Sequence, residues 1–167
     1  GKFAGPLRMR EALAKSKNLV SIRILQAIGA QYAQDYITRF GFNPKLHPPY
    51  LPMALGAGSA SPIQMVTGYA AFANGGFRVV PHLIQRIEDE KGEILEQTKP
   101  VLAGVDAKQI IDPRNAYLMT SMLKDVVQRG TAVRAKKLGR TDLAGKTGTT
   151  NNFIDAWFCG FQTNLVA

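Results

Sequence analysis

Near its end the chain carries Gly145-Lys146-Thr147-Gly148-Thr149, which two unrelated chemistries could use, because both place an anion beside a lysine. Gly-Lys-Thr can close a phosphate loop, and Lys-Thr-Gly-Thr can form the substrate-facing edge of a strand. The phosphate loop requires a second glycine six residues before the lysine, so that backbone N–H groups curl around the phosphates. That position is Arg140, and Gly139 falls one residue too early. Such a loop must also feed a helix, whose N-terminus adds donors and a favourable dipole. The residues after Thr147, GTTNNFIDAWFCGF, suit a turn and a second strand instead. A nucleotide is therefore not expected as a partner.

The strand-edge chemistry needs a glycine where a substrate backbone can approach, with a lysine and hydroxyls to meet a carboxylate. It also needs a serine and an amide side chain on a loop, to pass protons and hold a substrate amide. Ser16-Lys17-Asn18 meets that need between the first two expected helices. Each piece also has an ordinary reading. Ser16 or Asn18 would serve as a helix cap, and Lys-Thr-Gly-Thr as a tight turn. A third candidate is Ser121-Met122-Leu123-Lys124, the one Ser-x-x-Lys string in the chain. One helical turn between serine and amine is the spacing of an activated nucleophile. The apolar periodicity of Leu118, Met119, Met122, Leu123, Val126 and Val127 puts Ser121 and Lys124 on the opposite, solvated face, however. A solvated lysine is a poor base at neutral pH, so this string is read as a polar helix face.

The elements that must position these residues are marked by proline at helix starts and glycine at helix ends. The pattern predicts helices from Gly5-Pro6 to about Lys15, from Val20 to Ile28, from Tyr32 to Phe40, from Ser61-Pro62 to Asn74-Gly75, and from Asp112-Pro113 to Gly130. NPKLHPPYLPMALGAG reads as a surface loop, Phe77 to Gln97 as a hairpin turning at Gly92, and Ala156 to Ala167 as a strand beside the Lys-Thr-Gly segment. Helices and antiparallel strands mix without a βαβ rhythm, so the class is α+β.

The 167 residues suffice for one domain with its own core. No run of about eighteen apolar residues marks a membrane span. The net charge of +9 is concentrated in the first 45 and last 55 residues and favours an anionic partner. No zinc spacing, RNA-binding aromatic signature or dense basic run accompanies it, so no nucleic acid is expected as a partner; no metal cluster is visible and no cofactor is expected. The single Cys159 excludes an internal disulfide and reads as a small buried side chain.

Taken in order, the segments GPLRMREALAKSKNLVSIRIL, RFGF, ALGAGSASPIQMVTGYAAFANGGF, RIEDEKGEIL, QRGTA and AGKTGTTNNFIDAWFCGF resemble the penicillin-binding proteins. The resemblance is strongest to the transpeptidase domain of the bifunctional class A enzymes and covers essentially the whole chain. It implies a partial serine β-lactamase/penicillin-binding transpeptidase fold, an antiparallel sheet flanked by helices. Residues 1–167 would form part of one transpeptidase domain, starting just before Ser-x-Asn and ending within the sheet. The nucleophile helix and the glycosyltransferase domain would lie elsewhere in the parent.

In that family a serine attacks the penultimate D-Ala carbonyl of a peptidoglycan stem peptide, and the acyl group passes to an amine of a neighbouring stem. β-Lactam antibiotics acylate the same serine. The resemblance gives Ser16 a proton relay, Asn18 the substrate amide, and Lys146 the local field and carboxylate. Thr147 and Thr149 would offer hydroxyls, the Thr149 N–H an oxyanion contact, and Gly148 the close approach. Ser121 would be a decoy, since family order places Ser-x-x-Lys before Ser-x-Asn. The chain alone would then be inactive. Its expected partners are stem peptides, β-lactams and the remainder of the same domain, at the outer face of the bacterial cytoplasmic membrane. A serine β-lactamase and a non-catalytic penicillin-binding-like domain are the alternatives.

Overall fold

A computed structural model of the chain describes residues 5–150 and 154–167. Five α-helices and seven strands are described, in the order α1 Met9–Ala14, α2 Asn18–Ile28, α3 Ala30–Ile37, α4 Pro62–Ala73, β1 Phe77–Arg78, β2 Arg86–Glu88, β3 Ile94–Gln97, β4 Lys108–Gln109, α5 Pro113–Arg129, β5 Ala144–Thr149, β6 Ala156–Gln162 and β7 Leu165–Val166. Strands β5, β6 and β7 form an antiparallel sheet, in that order, with Lys146 opposite Cys159 and Gly148 opposite Trp157. The α+β class follows directly.

The helix starts obey local chemistry. Ser61 and Gln64 form a reciprocal capping box at α4, with Pro62 in its first turn. Asp112 caps α5 by accepting the Arg114 N–H at 2.8 Å, again with proline in the first turn. The main cluster forms where α5 lies against β5 and α4 against β6: Leu123, Val126, Val127, Ala132, Leu143, Ala144 and Phe161 are buried together. Val126 and Val127 are wholly enclosed, so this helix and the sheet are fixed by dense apolar packing.

Three expectations need correction. Helix α1 starts at Met9 rather than at Pro6, because Gly5 has a positive φ of 69° and Arg8 is still extended. Only β2 and β3 form the expected hairpin, with Asp89 Oδ1 accepting the Lys91 and Glu93 N–H groups and Gly92 at φ 82°. Phe77–Arg78 pairs instead with Lys108–Gln109, because the Gly76 carbonyl accepts the Ile110 N–H at 2.8 Å and draws the distant strand in. The expected strand from Ala156 to Ala167 is two strands: Gln162 Oε1 accepts the Asn164 N–H at 2.9 Å and reverses the chain.

Candidate active site

Ser16 stands just beyond α1 in the left-handed region, with φ 50°. The Lys17 N–H reaches back to the Ala12 carbonyl at 2.9 Å and the Ser16 N–H to the Leu13 carbonyl at 3.1 Å. That is a Schellman ending, in which the left-handed position normally belongs to glycine. A serine there costs about 1 kcal/mol relative to glycine. The ordinary explanation, a side-chain cap, fails: α2 begins at Asn18 with Lys17 before it and no side-chain cap.

Helix α1 is placed by α5. Arg10 Nη1 donates to Asp125 Oδ2 at 2.9 Å and to the Ser121 carbonyl at 3.1 Å, and Nη2 donates to Ser121 Oγ at 3.0 Å. The end of α1 is held more closely still, for the Thr131 N–H donates to the Ala14 carbonyl at 3.1 Å. Gly130 makes that approach possible, since a Cβ there would fall 2.2 Å from the Ala14 oxygen.

Across this junction runs β5. Lys146 Nζ donates to Ser16 Oγ at 2.8 Å and to the Thr147 carbonyl at 2.9 Å. The structure thus brings together two of the predicted motifs, 130 residues apart in sequence. The Lys146 side chain is partly enclosed, and burial pushes its pKa below the usual lysine value. No carboxylate pairs with it among the described residues. Two of its three N–H donors are engaged, so charge and one donor remain for an anion.

Beyond Lys146 the strand becomes exposed at Gly148 and Thr149. Among the described residues, a Cβ on Gly148 would meet nothing within 4 Å, so the missing side chain makes no packing contact with them. Trp157, opposite Gly148 and 59% exposed, borders that space. Asn18 is exposed on the first turn of α2. The residues of the β5–β6 connection from Asn151 to Phe153, part of the family-like segment, lie outside the described residues.

Ser121 behaves differently from the expectation of a solvated face. It is half-buried against α1 with Arg10 on both its oxygens, because α1 packs across that flank of α5. Lys124 is exposed, and no hydrogen bond joins it to Ser121 among the described residues. Leu118, assigned to the buried face, is 52% exposed. Cys159 is half-buried rather than buried, with its thiol pKa raised by burial. Beside it, burial and then the Cys159 charge push Tyr69 up to about 12. Sequence reasoning missed Thr131, whose Oγ1 lies 2.5 Å from Thr147 Oγ1. The Gly-Thr after α5 was a visible signal, but only the fold shows which strand it meets.

Strand edge, loop serine and helices together define a partial α+β transpeptidase fold. The family of the penicillin-binding protein transpeptidase domain matches residues 2–164, and the chain belongs to that family. It is 54% identical over 166 residues to penicillin-binding protein 1A of Neisseria flavescens and 53% identical to that of Neisseria gonorrhoeae. Each match covers 99% of this chain and 21% of the relative, so the chain spans about a fifth of the length of those relatives. Among solved structures, penicillin-binding protein 1A from Haemophilus influenzae superposes with a TM-score of 0.93 at 32% identity, over 99% of this chain and 30% of that one. The imipenem acyl-enzyme of penicillin-binding protein A from Mycobacterium tuberculosis shares the fold, with a TM-score of 0.79 at 18% identity, over 96% of this chain and 41% of that one.

Proposed function

We propose that this chain is the Lys-Thr-Gly part of a peptidoglycan D,D-transpeptidase domain, all of residues 1–167 belonging to that one domain. The observation that carries the reading is the 2.8 Å hydrogen bond from Lys146 to Ser16. It joins a strand-edge ammonium to a loop hydroxyl, with open strand beside both.

In the proposed reaction a nucleophilic serine forms an ester bond to the penultimate D-Ala carbonyl. The amide bond to the terminal D-Ala breaks, and that residue leaves as an amine after taking up a proton. Ser16 relays the proton, since its hydroxyl both accepts from Lys146 and can donate onward. The ammonium of Lys146 lowers the energy of the developing charge and meets the terminal carboxylate. Thr147 and Thr149 add hydroxyl contacts, the Thr149 N–H faces the oxyanion, Asn18 holds the substrate amide, and Gly148 admits the backbone. An amine of a second stem peptide then displaces the serine oxygen and restores the hydroxyl. A β-lactam acylates the same serine by opening its ring amide, with no group leaving.

The nucleophile is assigned to another part of the longer protein. The one Ser-x-x-Lys of this chain has Arg10 on its serine and an exposed lysine. The chain by itself is therefore proposed to be inactive. No helix among the described residues is long and apolar enough to cross a membrane, and the outer face of the cytoplasmic membrane is proposed from the family alone. Labelling with a fluorescent penicillin tests the reading. The intact protein should label, the isolated chain should not, and labelling of the isolated chain at Ser121 would overturn the assignment.

A further inference from the structure

The junction of α5 with β5 carries a feature that the roles above leave unused. Thr131 and Thr147 place their hydroxyl oxygens 2.5 Å apart, within the short range of O–H···O hydrogen bonds. Only one proton can lie between them. If Thr147 donated to Thr131, its proton would be turned away from any ligand. If Thr131 donates, the Thr147 proton stays free for another acceptor, and the accepted bond polarises it.

An anion approaching the edge selects the second arrangement, because it needs a donor and Thr147 has one proton to give. Thr131 is well fixed for the part. Its own N–H is anchored on the Ala14 carbonyl at 3.1 Å, and Gly130 before it leaves no room for a side chain between α5 and α1. The same residue pair therefore holds the helix end that presents Ser16 and the hydroxyl that faces Thr147.

We propose that Thr131 is a positioning residue for carboxylate recognition, donating to Thr147 Oγ1 so that the Thr147 hydroxyl donates to the ligand carboxylate. This rests on the transpeptidase reading. The test uses the intact protein and compares second-order acylation by benzylpenicillin with that by its methyl ester, which lacks the anionic carboxylate. Thr131→Val keeps the shape and the backbone N–H but removes the hydroxyl. It should slow acylation by the acid about tenfold and leave the ester within about twofold, while Thr131→Ser restores the acid rate. In a Thr147→Val background, Thr131→Val should have no further effect. Equal slowing of both ligands, no slowing of either, or additive losses in the double variant would overturn the proposal. A wild-type protein that neither ligand acylates would instead overturn the transpeptidase reading beneath it.

Discussion

The two ends of β5 carry a glycine each, and the two glycines serve opposite purposes. At Gly145 a Cβ would lie 2.6 Å from both the Cys159 carbonyl oxygen and the Phe158 ring, which also covers Gly160 on its own strand β6. At Gly148, three residues on, a Cβ would meet nothing within 4 Å among the described residues. The first glycine is needed by the fold, where an aromatic ring covers bare backbone. The second makes no packing contact among the described residues, and under the proposed function that space receives a ligand lying along the strand. Lys146 stands between the two, half in the core and half in the site.

The same division separates Gly130 from Ser16. Gly130 is required by contact with Ala14, whereas Ser16 occupies a left-handed position that glycine would fill at lower cost. The largest effect is expected from Ser16→Gly. It should slow acylation of the intact protein by about a hundredfold, the scale of a lost proton relay, while raising stability by about 1 kcal/mol. A drop in both rate and melting temperature would mean that Ser16 is part of the packing.

Next comes the glycine pair itself. Gly145→Ala should cost about 1–3 kcal/mol, read as a lowered thermal midpoint, because the neighbouring atoms include backbone that cannot give way. Gly148→Ala should change stability by less than about 0.5 kcal/mol yet slow acylation about tenfold by intruding on the ligand. Matching effects at the two positions would erase the distinction. The smallest effect belongs to Asp112, which is remote from the site and serves only the fold. Hydrogen bonds from Arg114 hold its pKa near 2, against an ordinary 3.8. A depressed carboxylate pKa stabilises the fold above the ordinary value, and that contribution is lost as pH falls from about 4 toward 2. Asp112→Asn should flatten the acid limb of the stability curve over that window and leave acylation at neutral pH unchanged.

Where local chemistry decides the structure, the sequence was readable. Ser61-Pro62 and Asp112-Pro113 start their helices as proline and capping side chains require, and Gly41 closes the turn after α3 with φ 93°. Where distant segments compete, it was not. Phe77 left its expected hairpin because the Gly76 carbonyl found Ile110, and Ser121 was drawn inward because Arg10 reached it from another helix. Of the site, Lys-Thr-Gly-Thr and Ser-x-Asn were legible as residue types at suggestive spacing. Their meeting was not, because it depends on how α1 seats on Gly130. Thr131 stood in the visible segment QRGTA, but its role was not legible for the same reason: its partner lies 16 residues away on a strand whose facing direction only packing decides.

The central claim is that Lys146, through Ser16, serves an acyl-enzyme whose serine lies outside this chain. Peptide mapping of the β-lactam adduct on the intact protein, with the acylation rate of Lys146→Met measured alongside, tests it most directly. The account predicts an adduct on a serine outside residues 1–167 and a rate lowered about a hundredfold or more in the variant. An adduct on Ser121, or a rate indifferent to Lys146, would contradict it.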